Sequence, residues 1–386
     1  MPTVHSRFTG FPEYPLAEVP RIRRELRAKG VDVIDLGAGD ADLAPPPAAV
    51  AGLKAAADDP AMSRYGFQLG LVELRQGLAG FMARRFGVDV DPMTELLPLV
   101  GSKEGIAHLA FAYAGPGDRT IVPDPGYQPY RGGTLLAGAE PFMVPLRPEH
   151  GFLVPLDEIP ADVAARSRLL YLNYPNNPTA ATAPPEYLER AVTWCREHDT
   201  VLCYDNAYSE LGFDGYSPPS ILQIEGARDV AIEFFSFSKT YNMTGWRIGW
   251  AVGNREIIAA LQRIKTFTDT GQFMAVQAGA LAALEAYETW VPQNIETFRR
   301  RRDAAAAALR DAGFQVELPR ATMYLWFPVP GGEPSEAFAL RALREEGVVV
   351  MPGAALGAGG EGFLRVALTA SEARLREAAA RLARIL

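Results

Sequence analysis

The sequence predicts an α/β protein whose large domain carries a mostly parallel sheet, accompanied by a smaller domain. Three observations lead there. Strand-like and helix-like patterns alternate through most of the chain, as successive strand–helix–strand units do. Leu169-Leu170-Tyr171-Leu172 is apolar without a break, as expected for a strand covered on both faces. The 386 residues exceed one small core and suit one large domain plus a smaller one.

Composition removes several function classes. Hydrophobic residues at 48% and charged residues at 22% describe an ordinary globular chain, not a disordered or membrane one. A formal charge of −8 argues against a nucleic-acid partner, and the one basic block, Arg299 to Arg302, is expected to form one face of a helix. Cys195 and Cys203 give neither a disulfide framework nor metal spacing, and the four histidines also lack ligand spacing. Met1 to Arg7 has no apolar core of the signal-peptide kind, and no long apolar span follows. A cytoplasmic protein without a membrane partner is therefore expected.

In chain order, Pro15 to Lys29 has helical spacing, with Gly30 as its stop. Val31 to Leu36 reads as a short strand running into the turn Gly37-Ala38-Gly39-Asp40. Helices are expected over Pro47 to Ala57 and Val72 to Phe86. The loop between them holds Tyr65, which on its own reads as a packing residue. Leu96 to Val100 is a strand, and Gly101-Ser102-Lys103-Glu104-Gly105 begins a helix that continues through Ala114. Strand, glycine turn and helix start make an anion site, because free N–H groups and the positive helix end favour a phosphate. The backbone of Ser102 and Lys103 is the candidate cradle. Neither the nucleotide P-loop nor the dinucleotide fingerprint is present.

Arg119 to Val122 is the next strand, followed by Pro123-Asp124-Pro125-Gly126-Tyr127, whose aromatic reads as a lid on the core. Glu140 to Leu146 is another strand. After Leu172 comes Asn173-Tyr174-Pro175-Asn176-Asn177-Pro178-Thr179, a tight loop by its turn residues. A helix from Glu186 to His198 precedes the strand Thr200 to Tyr204, which ends at Asp205. A carboxylate at the end of a buried strand is costly without a cationic partner. Tyr208 follows three residues later.

Two apolar strands, Ala231 to Phe235 and Ile248 to Val252, flank the segment from Ser236 to Arg247. The hydroxyls of Ser236 and Ser238 and the cation of Arg247 suit a phosphate, with Lys239 placed to reach whatever carries it. An amine in a partly desolvated pocket becomes a nucleophile toward carbonyls, the requirement for a Schiff base. Helices are expected over Glu256 to Lys265 and Phe273 to Leu309, the second long enough to join two domains. Strands are expected at Gln315 to Leu318, Met323 to Val329, Gly347 to Met351 and Gly362 to Leu368. Arg365 lies inside the last. A guanidinium in an apolar strand needs a planar anion, and a bidentate α-carboxylate is suitable.

The pattern S-x-S-K-x(7)-R from Ser236 to Arg247 resembles the pyridoxal-phosphate lysine region of class I/II aminotransferases. So do N-x-P-x-N-P-T at 173–179 and D-x-x-Y at 205–208, in the family's order within about residues 30–370. The resemblance implies the aspartate-aminotransferase fold (PLP fold type I), with a large PLP-binding domain over 46–285 and a small α+β domain from 1–45 and 286–386. It implies that Lys239 binds pyridoxal 5′-phosphate covalently, and that Ser102, Lys103, Ser236, Ser238 and Arg247 hold the phosphate. Tyr127 would stack on the ring, Asn177 and Tyr208 would bond its phenolic oxygen, and Asp205 would hold its nitrogen protonated. Lys239, Asp205 and Tyr208 are then the catalytic residues. Gly39, Asn177 and Arg365 would bind the substrate α-carboxylate, and Lys103 a distal carboxylate. Tyr65 would reach the cofactor phosphate of a second copy, which implies a homodimer with shared sites.

The function implied is transfer of an amino group from an L-amino acid to a 2-oxo acid such as 2-oxoglutarate, by a ping-pong mechanism. The wording at 101–106, 123–127 and 239–247 looks most like LL-diaminopimelate aminotransferases, and aspartate-type relatives share much of it. The chain departs from the family at Ala41, where proline is usual, at Ala180, where glycine is usual, and at Leu356, where an aromatic is usual. Two other readings stand beside the first. A carbon–sulfur β-lyase of the same fold would use the same lysine. A non-catalytic regulator with an aminotransferase-like domain usually brings a DNA-binding extension, for which no stretch precedes the first motif.

Overall fold

Seven strands make the main sheet of the computed structural model, which describes residues 2–3, 11, 18–67 and 69–386. Twelve strands occur among the described residues. They are β1 (Ile34–Asp35), β2 (Leu96–Leu99), β3 (Arg119–Asp124), β4 (Glu140–Pro145), β5 (Ser167–Leu172), β6 (Val201–Asp205), β7 (Ala231–Ser236), β8 (Gly249–Gly253), β9 (Tyr324–Pro328), β10 (Val348–Val349), β11 (Met351–Pro352) and β12 (Phe363–Ala367). The main sheet runs β2-β8-β7-β6-β5-β3-β4. Only β8 is antiparallel to its neighbours, so the sheet is mostly parallel. Helices cover both faces, which is why β5, β6 and β7 are apolar on both sides.

A second core gathers the C-terminal elements with Ile34 and Leu36. Its sheet is the antiparallel β11-β12-β9, and β1 pairs in parallel with β10 beside it. Tyr208, Leu211 and Phe213 also pack into this core, although they follow directly on the central strand β6. The chain thus crosses between the two cores immediately after Asp205.

Several elements differ from the sequence expectation. The helix expected from Pro15 spans Val19–Ala28, and residues 15–17 lie outside the described residues. The strand expected over Val31 to Leu36 shortens to two residues, because only Ile34 and Asp35 face β10. A helix over Gln128–Ala137 was not anticipated and connects β3 to β4. The long helix expected over Phe273 to Leu309 is two, Met274–Glu285 and Tyr287–Asp311, broken where Ala286 has ψ 7°. The first packs on the helices Pro47–Ala57 and Val72–Phe86, the second on Glu372–Leu382, so the break changes which layer is served. Gln315 to Leu318 is not a strand; the carbonyl of Val316 accepts from Arg310 Nε at 2.7 Å instead of from a ladder. Gly347 to Met351 divides at Val350 into β10 and β11, which serve different sheets. Arg299 to Arg302 is helical but does not form one face, since consecutive helical residues turn by about 100°. Arg301 and Arg302 are buried and paired with Asp42 and Asp214, while Arg299 and Arg300 stay in solvent.

Glu233, in the middle of β7, is fully buried. Its carboxyl accepts from Ser220 Oγ and, at 2.7 Å, from Asn206 Nδ2, the residue that follows Asp205. Burial pushes its pKa up to about 7, against the pull of these donors. The stability this gives is fully present below the unfolded value near 4.5 and is lost as pH rises through the folded value. Glu233→Gln keeps the shape without the titration. Its unfolding free energy relative to the parent chain is therefore expected to improve by on the order of 3 kcal/mol between pH 4.5 and about pH 8. Denaturant unfolding at the two pH values checks this, and a difference independent of pH would be against it.

Candidate active site

The carboxyl ends of the parallel strands open on a cavity of about 490 Å³, where open α/β sheets bind ligands. Asp205 ends β6 and is buried. Its Oδ2 accepts from the Tyr130 hydroxyl at 2.8 Å, and its carbonyl accepts from Asn173 Nδ2 at 2.7 Å. Among the described residues Oδ1 is buried with no hydrogen-bond partner. Burial pushes the Asp205 pKa up to about 6, partly offset by the Tyr130 bond. Asn173 also braces the next loop, its Oδ1 accepting from the Asn177 backbone N–H at 2.7 Å.

Lys239 stands in the short helix Phe237–Thr240 that follows β7, and its Nζ donates to the carbonyl of Gly39. Gly39 therefore engages through its carbonyl here. It also has to be glycine for steric reasons, because a Cβ there would lie 2.0 Å from the Tyr324 hydroxyl. The loop that carries it is anchored by a bidentate pair, Arg301 to Asp42, at 2.6 and 2.8 Å. Arg365, on β12, donates to Asn177 Oδ1 and to the Gly37 carbonyl, each at 2.7 Å. Its Nε is buried without a partner among the described residues. Those acceptors are neutral, so among the described residues no carboxylate satisfies the charge by direct contact.

Tyr324 lies under Arg365, with the guanidinium carbon 4.3 Å from the ring centre. The two are diagonal neighbours on one face of the β9–β12 pair. The hydroxyls of Tyr208 and Tyr324 are 3.2 Å apart. Burial raises the Tyr208 phenol well above its ordinary value. At Tyr324 burial acts in the same direction, but the Arg365 and Lys239 cations outweigh it and the phenol lies below its ordinary value.

The other end of the cavity is lined by Ser102, Ser236, Ser238 and Arg247. Gly101 precedes the helix Ser102–Tyr113 with φ +76°, a conformation that glycine adopts without strain. A Cβ there would also fall 2.4 Å from the Arg247 guanidinium. The first N–H groups of that helix and this guanidinium thus share one small space. Ser236 Oγ accepts from the Ser238 N–H at 3.1 Å, and Arg247 Nη1 donates to the Thr244 carbonyl at 2.8 Å. Tyr127 and Lys103 form the side wall, with the ammonium 5.9 Å from the ring centre. Burial raises the Tyr127 phenol.

Every expected site residue except Tyr65 lines this one cavity. Tyr65 is 71% exposed, beside the exposed Phe67. Tyr130, Asn173, Tyr324 and Gly37 belong to the surroundings of the site and were not singled out from sequence. Asn173 is the first letter of the asparagine motif, so a signal existed. Tyr130 lies in the unanticipated helix, and nothing marks Tyr324 among its aromatic neighbours in β9.

The residues fit pyridoxal phosphate. A buried, unpaired carboxylate oxygen at Asp205 suits a protonated ring nitrogen. The space kept open by Gly101 beside a helix start, two serines and an arginine suits a phosphate. An amine at Lys239 and a buried guanidinium with an unused donor at Arg365 complete sites for a carbonyl and a carboxylate. Among the described residues one acidic cluster, Glu104, His108 and Asp269, has metal-ligand spacing. The Lys265 ammonium already bonds Glu104 and Asp269 there, at 2.9 to 3.1 Å.

A profile of the family "Aminotransferase class I and II" matches residues 31–382. An LL-diaminopimelate aminotransferase of Syntrophobacter fumaroxidans is 46% identical over 374 residues, covering 97% of this chain and 96% of that protein. The substrate-bound structure of BacF from Bacillus subtilis has a TM-score of 0.95 at 34% identity, covering 100% of this chain and 98% of that one. A double mutant of the aspartate aminotransferase of Thermus thermophilus has a TM-score of 0.93 at 31% identity, with 100% of both chains covered.

Proposed function

Because the chain belongs to the class I and II aminotransferases, which are pyridoxal-phosphate enzymes, we propose that it moves the amino group of LL-diaminopimelate to 2-oxoglutarate by a ping-pong mechanism. Amino transfer with this cofactor is the family's chemistry. The donor is chosen because relatives near 46% identity over nearly the whole chain are named for it. The observation that carries the reading is the meeting, in one cavity, of the Lys239 amine, the unpaired Asp205 oxygen and the buried Arg365 guanidinium.

When bound, pyridoxal phosphate supplies a ring that accepts electrons from the substrate's α-carbon. The chain's residues do the rest. Ser102, Lys103, Ser236, Ser238 and Arg247 hold the phosphate, and Tyr127 covers one side of the ring. Asp205 keeps a positive charge on the ring nitrogen, itself steadied by Tyr130 and Asn173. Asn177 and Tyr208 address the phenolic oxygen. Arg365 receives the substrate α-carboxylate, with Gly39 and Asn177 beside it and Tyr324 beneath. Lys239 Nζ then takes the α-proton as general base and returns a proton on the other side of the reaction.

The same reading divides the chain into a cofactor domain over 46–285 and a small domain from 1–45 and 286–386. It makes the protein a homodimer in which Tyr65, exposed in a single chain, reaches the second copy's phosphate site. It also sets the reaction in the cytoplasm, in keeping with two free, buried cysteines. No helix among the described residues is long and apolar enough to cross a membrane.

The test is the absorption spectrum of the cofactor-loaded protein with LL-diaminopimelate and no oxo acid. The visible band of the lysine-bound cofactor is expected to give way to the near-ultraviolet band of its aminated form. An unchanged spectrum would remove this donor and turn the search to aspartate, glutamate and alanine. Pyruvate release from cystathionine without an acceptor would favour a β-lyase.

A further inference from the structure

The far rim of the same cavity carries an ion pair that the reaction has not used. Arg23 Nη1 lies 2.5 Å from Asp35 Oδ2, and both side chains line the cavity, 35% and 24% exposed. Asp35 Oδ1 accepts from the Gly37 N–H at 3.1 Å, while the Gly37 carbonyl accepts from Arg365 at 2.7 Å. One residue therefore separates this pair from the proposed α-carboxylate site. Val349 packs against Gly37, its Cγ1 3.0 Å from where a Gly37 Cβ would stand. The remaining donors of Arg23 take no acceptor among the described residues.

A half-exposed pair of this kind adds little to folding, roughly 0–1 kcal/mol. Stability is therefore a weak reason to keep opposite charges on a ligand cavity. A ligand whose far end is itself charged gives a better one. The pair has an anion-binding fork and a cation-binding carboxylate side by side, with no net charge. A far end with a lone carboxylate would face Asp35, and a lone ammonium would face Arg23; each repulsion works against binding. A far end with both charges meets both partners.

We propose that Arg23 and Asp35 form a distal subsite selecting amino donors whose far end is a second amino-acid group. Its carboxylate pairs with Arg23 and its ammonium with Asp35, and the internal ion pair opens to admit them. The inference rests on the reading of Arg365 as the α-carboxylate site.

The experiment uses the cofactor-loaded full chain and four donors: LL-diaminopimelate, L-2-aminopimelate, L-lysine and L-alanine. These carry both distal charges, the carboxylate only, the ammonium only, and neither. The readout is each donor's kcat/KM divided by that for L-alanine. Arg23→Met is expected to lower the ratio about 10-fold or more for LL-diaminopimelate and L-2-aminopimelate, leaving the L-lysine ratio level or higher. Asp35→Asn, which keeps an acceptor for the Gly37 N–H, is expected to lower it for LL-diaminopimelate and L-lysine and raise it for L-2-aminopimelate. Ratios that do not move, or that fall alike for all three long donors, would overturn the subsite while leaving transamination standing. If the unsubstituted holoprotein used none of the four, both readings would fall together.

Discussion

Lys239→Ala is expected to bind pyridoxal phosphate reversibly and to lose at least about 10⁴-fold in turnover. The side chain has two duties that no neighbour duplicates. It is the amine that fixes the cofactor's carbonyl, and it is the base for the substrate's α-proton. Tyr208 and Tyr324 lie near, but burial holds the Tyr208 phenol well above its ordinary value, and Tyr324 is tied to it and to Arg365. Cofactor retention should persist because the phosphate end, from Gly101 to Arg247, does not touch the lysine's work. Single-turnover kinetics on the cofactor-loaded variant measures the loss. Turnover near that of the parent chain would refute the assignment of Lys239.

Asp205→Asn is the second large effect, a fall in kcat of on the order of 10²–10³-fold, the usual scale for removing one preorganised electrostatic partner. The amide can still bond Tyr130, so the fold has no reason to change. What disappears is the charge opposite the ring nitrogen. The same substitution should not weaken the cofactor-free protein at neutral pH, because it removes a carboxylate whose ionisation burial opposes, with a pKa near 6. Reduced turnover with unreduced thermal stability is the expected pair of results. Normal turnover, or a variant that simply unfolds, would remove Asp205 from the proposed role.

Much of this was legible in the sequence, for identifiable reasons. Asp205, Asn177 and Lys239 each follow an apolar run, and polar residues at the ends of buried strands have few structural explanations. Gly101 before Ser102 signals a phosphate cradle because a glycine turn between strand and helix exposes N–H groups. A mostly parallel sheet could be anticipated from the alternation of elements, and the family profile matches residues 31–382; that it has seven strands is read from the structure. The second core was less legible. Its strands are short, three of only two residues, and they pair with elements more than three hundred positions away in the case of Ile34 and Val348. Gln315 to Leu318 has strand-like residues, yet Arg310 caps the Val316 carbonyl and no partner strand arrives.

By itself the sequence determined the chemistry available: one lysine between two strands, one aspartate at a strand end, one arginine inside a strand, and hydroxyls where a phosphate would lie. Each is a local fact, set by residue type and by the period of its neighbours. The tertiary structure alone decided which of them share a cavity and which atoms stay unsatisfied. It brought Tyr130 to Asp205, slid Tyr324 under Arg365, and turned Gly39 into a steric necessity through a tyrosine 285 positions downstream. It also set Arg23 against Asp35 on the same rim. Those contacts arise from packing within and between the two cores, and of these pairs only Arg23 and Asp35, 12 positions apart, share a local window of the chain.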